Sequence, residues 1–66
     1  MNVMFNGKEL KINKDESLLI LLNEFDMNTS YTAVAVNNQV IQKSFQAEHY
    51  LQENDVIEVL MPMQGG

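Results

Sequence analysis

Only one segment of this 66-residue chain has the periodicity of an α-helix, and strand-like segments lie on both sides of it. Four large apolar residues recur there at the spacing i, i+3, i+4 and i+7, which places them on one face of a helix. They are Leu18, Leu21, Leu22 and Phe25. Ser17 is a favoured N-cap residue, and Asp15 and Glu16 are placed to interact with the positive end of the helix dipole. A single helix with one apolar face must pack on another layer, which the rest of the chain has to supply as a sheet.

The segment before the helix has the pattern of a β-hairpin. Asn6-Gly7 separates two short apolar stretches, and this dipeptide tolerates the positive φ angles of a type I′ turn. Alternation predicts that Met4 points to one face of the sheet and that four other apolar side chains point to the other face, inward. These inward side chains are Val3, Phe5, Leu10 and Ile12.

The segments after the helix predict three more strands, the second of them short. In "YTAVAVNNQVIQ", Val34 and Val36 are expected to face the helix, and Asn37-Asn38 forms the turn that follows. The mixed stretch "KSFQAEHYLQEND" predicts a helical turn, with Phe45 and Leu51 as its apolar anchors.

The last strand is predicted in "DVIEVLM", after a turn at Asn54-Asp55. There Ile57 and Val59 alternate with Glu58 and Leu60, so Leu60 is expected on the same face as Met4. The order strand, strand, helix, strand, short strand, strand predicts an α+β fold of the β-grasp, or ubiquitin-like, type. Its mixed sheet of four to five strands has one main helix packed on one face.

One helix can cover only one face of this sheet, so the other face must meet water or a partner. Met4 and Leu60 should point to this uncovered face, with Ala35 near them. Adjacent exposed apolar residues on a small acidic domain often mark a protein interface, although scattered surface hydrophobic residues are also common. We interpret these residues as a partner-binding surface.

Charge and composition exclude several classes of function. Nine acidic residues against four basic ones give a net charge of -5, the wrong sign for binding a phosphate backbone, so no nucleic-acid partner is expected. The chain has no cysteine and one histidine, His49, and we expect neither a metal site nor a bound cofactor. The acidic residues that flank the helix, Asp15, Glu16, Glu24 and Asp26, are interpreted as a solvated surface.

No apolar run approaches the ~20 residues that a membrane span needs, and the N-terminus lacks the pattern of a signal peptide. We therefore expect a cytoplasmic protein without a membrane partner, and we expect residues 1–66 to be the whole gene product.

The chain ends in "MPMQGG", with Gly65 and Gly66 as its final residues. Pro62 cannot donate to a strand ladder and should end the last strand, which gives a domain at residues 1–62 and a flexible tail at residues 63–66. Fully extended, that tail would reach about 13 Å. Glycine lacks a Cβ atom, so such a tail could enter a narrow channel, whereas the alternative interpretation is an ordinary frayed terminus.

Taken from end to end, the sequence resembles the ThiS/MoaD family of ubiquitin-like sulfur carriers, and in particular its thiamine-biosynthesis branch, ThiS. The resemblance rests on "FNGK" in the opening strand, "DESLLILL" in the helix, "AVAVNNQVI" in the middle, and the closing "LQENDVIEVLMPMQGG". The family often has glycine where Asn38 and Asn54 stand, and asparagine is the usual substitute at a positive φ.

The resemblance implies a sulfur carrier for thiazole synthesis. An E1-like adenylyltransferase (ThiF-like) would use ATP to adenylate the carboxylate of Gly66, with Gly65 keeping the tail unhindered. Sulfur from a cysteine-derived persulfide donor would then give a thiocarboxylate, which a thiazole synthase (ThiG-like) consumes. Such a carrier is a protein co-substrate and not an enzyme. Its partners would dock on the uncovered sheet face and the tail, through Met4, Ala35, Leu60 and Met63.

Two alternatives remain open at the level of sequence. The small subunit of molybdopterin synthase (MoaD-like) shares the fold and the Gly-Gly end but is usually longer. The other alternative is a ubiquitin-like binding module, either conjugated to lysines of other proteins or carrying Gly-Gly incidentally.

Overall fold

The computed structural model describes residues 1–28 and 32–60 of the chain. Within these ranges the chain forms, in order, β1 (Asn2–Phe5), β2 (Lys8–Lys11), α1 (Leu18–Glu24), β3 (Ala33–Val36), β4 (Gln39–Val40), α2 (Lys43–Gln46) and β5 (Val56–Leu60). This order is the one that the sequence predicts, including the short strand and the helical turn before the last strand.

The strands form one five-stranded sheet in the order β2-β1-β5-β3-β4. β5, the last strand in sequence, lies at the centre of the sheet, parallel to β1 and antiparallel to β3. The two hairpins, β1 with β2 and β3 with β4, form the outer parts of the sheet. The predicted mixed sheet and β-grasp fold are therefore confirmed, and the C-terminal strand is held on both sides.

Helix α1 begins where the sequence predicts it. The Ser17 side chain accepts a hydrogen bond from the backbone N–H of Ile20 at 3.3 Å, as an N-cap residue does. The buried face of the helix packs into one core with the inward side chains of the strands. This core contains Val3, Phe5, Ile12, Leu18, Leu21, Leu22, Val34, Val36, Leu51 and Ile57, with Leu10 and Val59 partly buried against it.

The prediction that Phe25 continues the buried helical stripe is wrong. The helix ends at Glu24, and Phe25 is its C-cap residue with 42% of its surface exposed. Its ring stacks on Phe5 with 5.0 Å between the centroids. Asp26 follows with φ at 55°, a left-handed conformation that no regular helix can continue.

The prediction that Phe45 anchors the segment after β4 is also wrong, whereas Leu51 is buried as predicted. Phe45 is 57% exposed, and the neighbouring Gln46 is the buried residue of α2. The Gln46 side-chain amide donates a hydrogen bond to the backbone oxygen of Ile41 at 3.4 Å, so this polar side chain is partnered inside the fold.

The predicted turns all contain residues with positive φ. Asn6 and Gly7 have φ of 50° and 84°, as a type I′ hairpin requires. Asn38 and Asn54, where the resembled family often has glycine, have φ of 69° and 70°. Asparagine tolerates this region better than most residues, so its use here agrees with the sequence interpretation.

The Asn37 side chain forms hydrogen bonds that link the turn after β3 to the start of the central strand, β5. Its Oδ1 atom accepts from the backbone N–H of Val56 at 2.9 Å, and its Nδ2 atom donates to Asp55 Oδ1 at 2.9 Å. Asp55 Oδ2 in turn accepts from the backbone N–H of Gln52 at 2.8 Å. These bonds fix the turn that leads into β5.

We expect Asn37→Ala to lower the free energy of unfolding by about 1–2 kcal/mol more than Asn38→Ala, measured by urea denaturation. Both substitutions place alanine at a positive φ, but only Asn37 has the two side-chain hydrogen bonds described above. Equal losses in the two variants would show that these bonds contribute nothing to stability.

Within residues 1–28 and 32–60, no helix is long and apolar enough to cross a membrane.

Candidate functional site

The face of the sheet opposite α1 carries a band of apolar side chains from four strands, with one carboxylate, Glu58, among them. We call it the open face and define it by Ala33, Ala35, Met4, Val40, Val56, Glu58 and Leu60. Met4 lies beside Val56 across the parallel β1–β5 pair. On the other side of β5, Ala33 lies opposite Leu60 and Ala35 lies opposite Glu58.

The open face contains the residues that the sequence predicts to be exposed there. Met4 is 37% exposed and Leu60 is 54% exposed, which confirms the predicted strand register. Ala35 lies on the same face but is buried, with 7% of its surface exposed. It can therefore act as the floor of a binding surface and not as a projecting contact. The partner-binding role of these three residues stays a prediction.

Sequence reasoning missed three members of the open face, Ala33, Val40 and Val56. The two larger ones, Val40 and Val56, are exposed and extend the apolar band across β4 and β5. The alternation in β5 was sufficient to find Val56, since it lies two positions before Glu58 and four before Leu60. Val40 becomes part of the band only through its pairing with Ala35, which the sequence does not specify.

Asn6 holds the end of β5 from which the C-terminal residues continue. Its side-chain Oδ1 accepts from the backbone N–H of Val59 at 2.8 Å, and its own N–H donates to the Ile57 oxygen at 2.9 Å. Through these two hydrogen bonds, the turn between β1 and β2 also contacts β5, in addition to the residues of β1 that pair with β5. The predicted tail residues Met63, Gly65 and Gly66 lie outside the described residues, as does the predicted domain boundary after Pro62.

A second feature lies on the helix side of the sheet, where Glu16 is buried. Only 5% of its surface is exposed, so the interpretation of Glu16 as a solvated helix-flanking residue is wrong. Oε1 accepts from the backbone N–H of Asn13 at 3.3 Å, whereas Oε2 has no hydrogen-bond partner among the described residues.

The environment of Glu16 raises its pKa above the ordinary value of 4.5. Burial is the largest cause, and the carboxyl of Glu24 adds to the shift by hydrogen bonding and by charge repulsion. The hydrogen bond from Asn13 acts in the opposite direction because it favours the ionised form. A carboxyl pair of this kind can satisfy Oε2 internally only when one of the two groups is protonated.

Because the folded-state pKa of Glu16 is raised, its contribution to stability is present at low pH and is lost as the pH rises through that pKa. We expect Glu16→Gln to raise the free energy of unfolding by about 1 kcal/mol at pH 7, since the amide can donate to Glu24. The difference should shrink below pH 4.5, where the parent carboxyl is protonated. Urea denaturation at several pH values measures this, with the exposed Glu48→Gln as a control. A Glu16→Gln variant that is less stable at neutral pH would contradict it.

Among residues 1–28 and 32–60, no group of three or more histidine, cysteine, aspartate or glutamate side chains is arranged to hold a metal ion. The two features that the described part of the molecule presents are the open face of the sheet and the buried carboxyl of Glu16.

The fold and these surfaces define a class of protein, a ubiquitin-like β-grasp domain whose central strand leads into a Gly-Gly C-terminus. The chain belongs to the ThiS family, whose model matches residues 3–66. It is 26% identical over 66 residues to the sulfur carrier protein ThiS of Escherichia coli K12, covering 100% of both chains. It is also 30% identical over 66 residues to the uncharacterized protein ycf40 of Pyropia yezoensis, covering 100% of this chain and 93% of that protein.

The same relationship is found among solved structures. The crystal structure of the thiamine biosynthesis protein ThiS from Geobacter metallireducens superimposes with a TM-score of 0.84 at 25% identity, and the match covers 100% of each chain. A solution structure of a thiamine biosynthesis protein from the same organism gives a TM-score of 0.77 at 26% identity, covering 100% of this chain and 88% of that one.

Proposed function

We propose that this protein carries sulfur for thiazole formation in thiamine biosynthesis, as a thiocarboxylate on the C-terminal carboxyl of Gly66. The observation that supports this most is the extent of the family match, which runs from the first strand to Gly66 and includes the Gly-Gly end. The sulfur carrier protein ThiS of Escherichia coli matches this chain over its entire length, and the thiamine biosynthesis protein ThiS of Geobacter metallireducens also shares its fold.

The chemistry of the C-terminus gives the proposal a physical basis. A carboxylate is a poor electrophile until one oxygen becomes part of a good leaving group, and adenylation by an E1-like, ThiF-like enzyme with ATP achieves this. The outer sulfur of a cysteine-derived persulfide then attacks the acyl carbon and AMP leaves, which gives an acyl disulfide. A thiol reductant cleaves the S–S bond of this disulfide and releases the thiocarboxylate. Gly65 and Gly66 have no side chains that would obstruct approach to the acyl carbon.

The carrier supplies a reactive terminus and a docking surface, and the partner enzymes supply the catalytic groups. It acts in this scheme as a protein co-substrate in the cytoplasm, without a bound cofactor of its own. With no cysteine in the chain, the acyl group at Gly66 is the natural position for the sulfur.

The open face is the surface through which the activating enzyme and a ThiG-like thiazole synthase would dock. Its four large apolar residues, Met4, Val40, Val56 and Leu60, are exposed. Met4, Val56 and Leu60 lie on the adjacent strands β1 and β5, and Val40 lies on β4, which β3 separates from β5. Contiguous exposed apolar residues on a monomeric domain favour a protein interface. β5 contributes Leu60 to this face and also leads to the C-terminus, so docking there would bring the tail to the partner.

Genetic complementation tests the pathway. We expect the gene to restore growth without thiazole to a bacterium that lacks its own thiamine sulfur carrier, and to fail in a strain that lacks the small subunit of molybdopterin synthase. The Gly-Gly chemistry is shared by both pathways, so the choice of partner depends on the docking surface. Expression levels should be matched by immunoblotting in both strains.

Rescue of molybdenum-cofactor synthesis without rescue of thiazole synthesis would contradict the thiamine assignment and favour the molybdopterin subunit. Rescue of neither, with binding to the host partners shown directly, would favour a ubiquitin-like module that carries Gly-Gly without sulfur transfer.

A further inference from the structure

The buried carboxylate of Glu16 lines a cleft between the helix and the edge of the sheet. The cleft has a volume of about 320 Å³ and is lined by Leu10, Lys11, Ile12, Asn13, Glu16, Glu24 and Phe25. We call it the Glu16 cleft. Three of these residues, Leu10, Ile12 and Phe25, form an apolar wall, while Glu16 and Glu24 bring two carboxyl groups together.

When both carboxyls of the Glu16 cleft are ionised, one buried carboxylate oxygen has no hydrogen-bond donor. Oε2 of Glu16 is shielded from solvent and has no donor among the described residues. Buried carboxylate oxygens without donors are costly, so native structures normally partner them. Two kinds of donor could fill this role, a proton shared with Glu24 or an N–H group supplied from outside the chain.

We propose that the Glu16 cleft binds an alkylammonium group, whose N–H donors pair with the carboxylates of Glu16 and Glu24 while its alkyl chain lies against the apolar wall. This ligand chemistry occurs in free amines and in the lysine side chains of partner proteins. The proposal concerns the helix side of the sheet and is independent of the sulfur-carrier function.

The composition of the cleft favours this ligand over others. Two carboxylates oppose one lysine, Lys11, so the lining has a net negative charge and disfavours an anion. Two carboxylates provide fewer ligands than a tightly held divalent metal ion requires, and the apolar wall would contribute nothing to its coordination. An alkylammonium group matches both parts of the lining, because its charged end can pair with the carboxylates and its alkyl chain can pack against the apolar wall.

The proton and the ligand compete for the same oxygen, which gives binding a pH dependence. Glu16, Glu24 and Lys11 are the charged residues that line the cleft. At low pH the Glu16 carboxyl is protonated and supplies its own donor. As the pH rises and Glu16 ionises, the need for an external donor increases, so binding should strengthen.

The test is a titration of the isotope-labelled full chain with n-butylammonium chloride, followed by NMR at neutral pH and constant ionic strength. We expect saturable shifts of the Glu16 and Glu24 carboxyl signals and a lower apparent pKa of Glu16 in the bound state. Tetramethylammonium chloride, which has the charge but no N–H donor, should give no saturable shifts. A blocked lysine derivative in a parallel titration distinguishes the sources: binding favours a partner's lysine, and its failure beside butylammonium binding favours a small free amine.

Glu16→Gln should weaken butylammonium binding about tenfold or more, because it removes a charged acceptor and lets Glu24 be satisfied internally. Glu48→Gln changes an exposed carboxylate that does not line the cleft and should leave the affinity unchanged. Thermal denaturation confirms that both variants are folded. The proposal is overturned if butylammonium gives no saturable shifts, if Glu16→Gln binds it as well as the parent does, or if tetramethylammonium binds equally.

Discussion

If the chain functions as proposed, deletion of Gly66 should abolish its ATP-dependent activation by a ThiF-like adenylating enzyme, with no detectable change in the thermal stability of the domain. Activation requires an accessible carboxylate at a fixed distance from the docked domain, and the deletion shortens the chain beyond the central strand. Gly66 lies six residues after Leu60, the last residue of β5, so the described core does not include it. We expect the rate of ATP–pyrophosphate exchange to fall to that of the enzyme alone.

Gly66→Trp provides a second variant that keeps the chain length but adds a large side chain next to the carboxylate. The same loss of exchange is expected, because the bulky residue obstructs entry to a narrow channel. Full exchange with either variant, at equal binding to the enzyme, would show that Gly66 is not the site of activation.

Ile57→Asp should leave no cooperatively folded protein, whereas Leu60→Asp should fold and lose partner binding. Ile57 is fully buried in the central strand, and an unpaired carboxylate there costs about as much as the entire stability of so small a domain. Leu60 is 54% exposed on the open face, so its change should alter the free energy of unfolding by about 0.5 kcal/mol or less.

Thermal melts and binding titrations with the activating enzyme measure these two effects. Leu60→Asp should weaken binding about tenfold or more, since it places a desolvated charge in an apolar interface. Glu48→Gln, a change of an exposed side chain outside the open face, is the control and should bind as the parent does. A folded Ile57→Asp together with an unfolded Leu60→Asp would mean that the register of β5 is shifted by one residue.

Those parts of the fold that depend on local chemistry could be predicted from the sequence. The Asn6-Gly7 turn, the Ser17 cap and the alternation in β5 each use only a few neighbouring residues, and all three are found as predicted. The side of the sheet to which Met4 and Leu60 point follows from the same alternation.

Features that depend on contacts between distant segments could not be predicted. The Phe5 ring lies against Phe25 just after the helix, and no sequence rule places this pair together. The single turn of α2 is too short to show a period, so the sequence wrongly indicates Phe45 as an apolar anchor and gives no sign that Gln46 is buried.

The burial of Glu16 was missed for a related reason. Acidic residues before a helix are usually solvated, and the sequence gives no sign that this side chain folds back toward Asn13 and Glu24. Only the tertiary structure shows that the β2 edge and the end of α1 enclose it. The consequence is a candidate ligand cleft, the Glu16 cleft, in a region that was interpreted as surface.

The central claim, that Gly66 carries sulfur as a thiocarboxylate, is tested most directly by mass spectrometry of the intact chain. The protein is incubated with the activating enzyme, ATP, a persulfide donor and a thiol reductant, its intact mass is measured, and it is then digested to locate any change. The account predicts a C-terminal fragment heavier by the exchange of one oxygen for one sulfur, dependent on ATP and lost when the product is treated with a thiazole synthase and its substrates. An unchanged C-terminal fragment, under conditions in which the same enzymes convert a known ThiS protein, would contradict it.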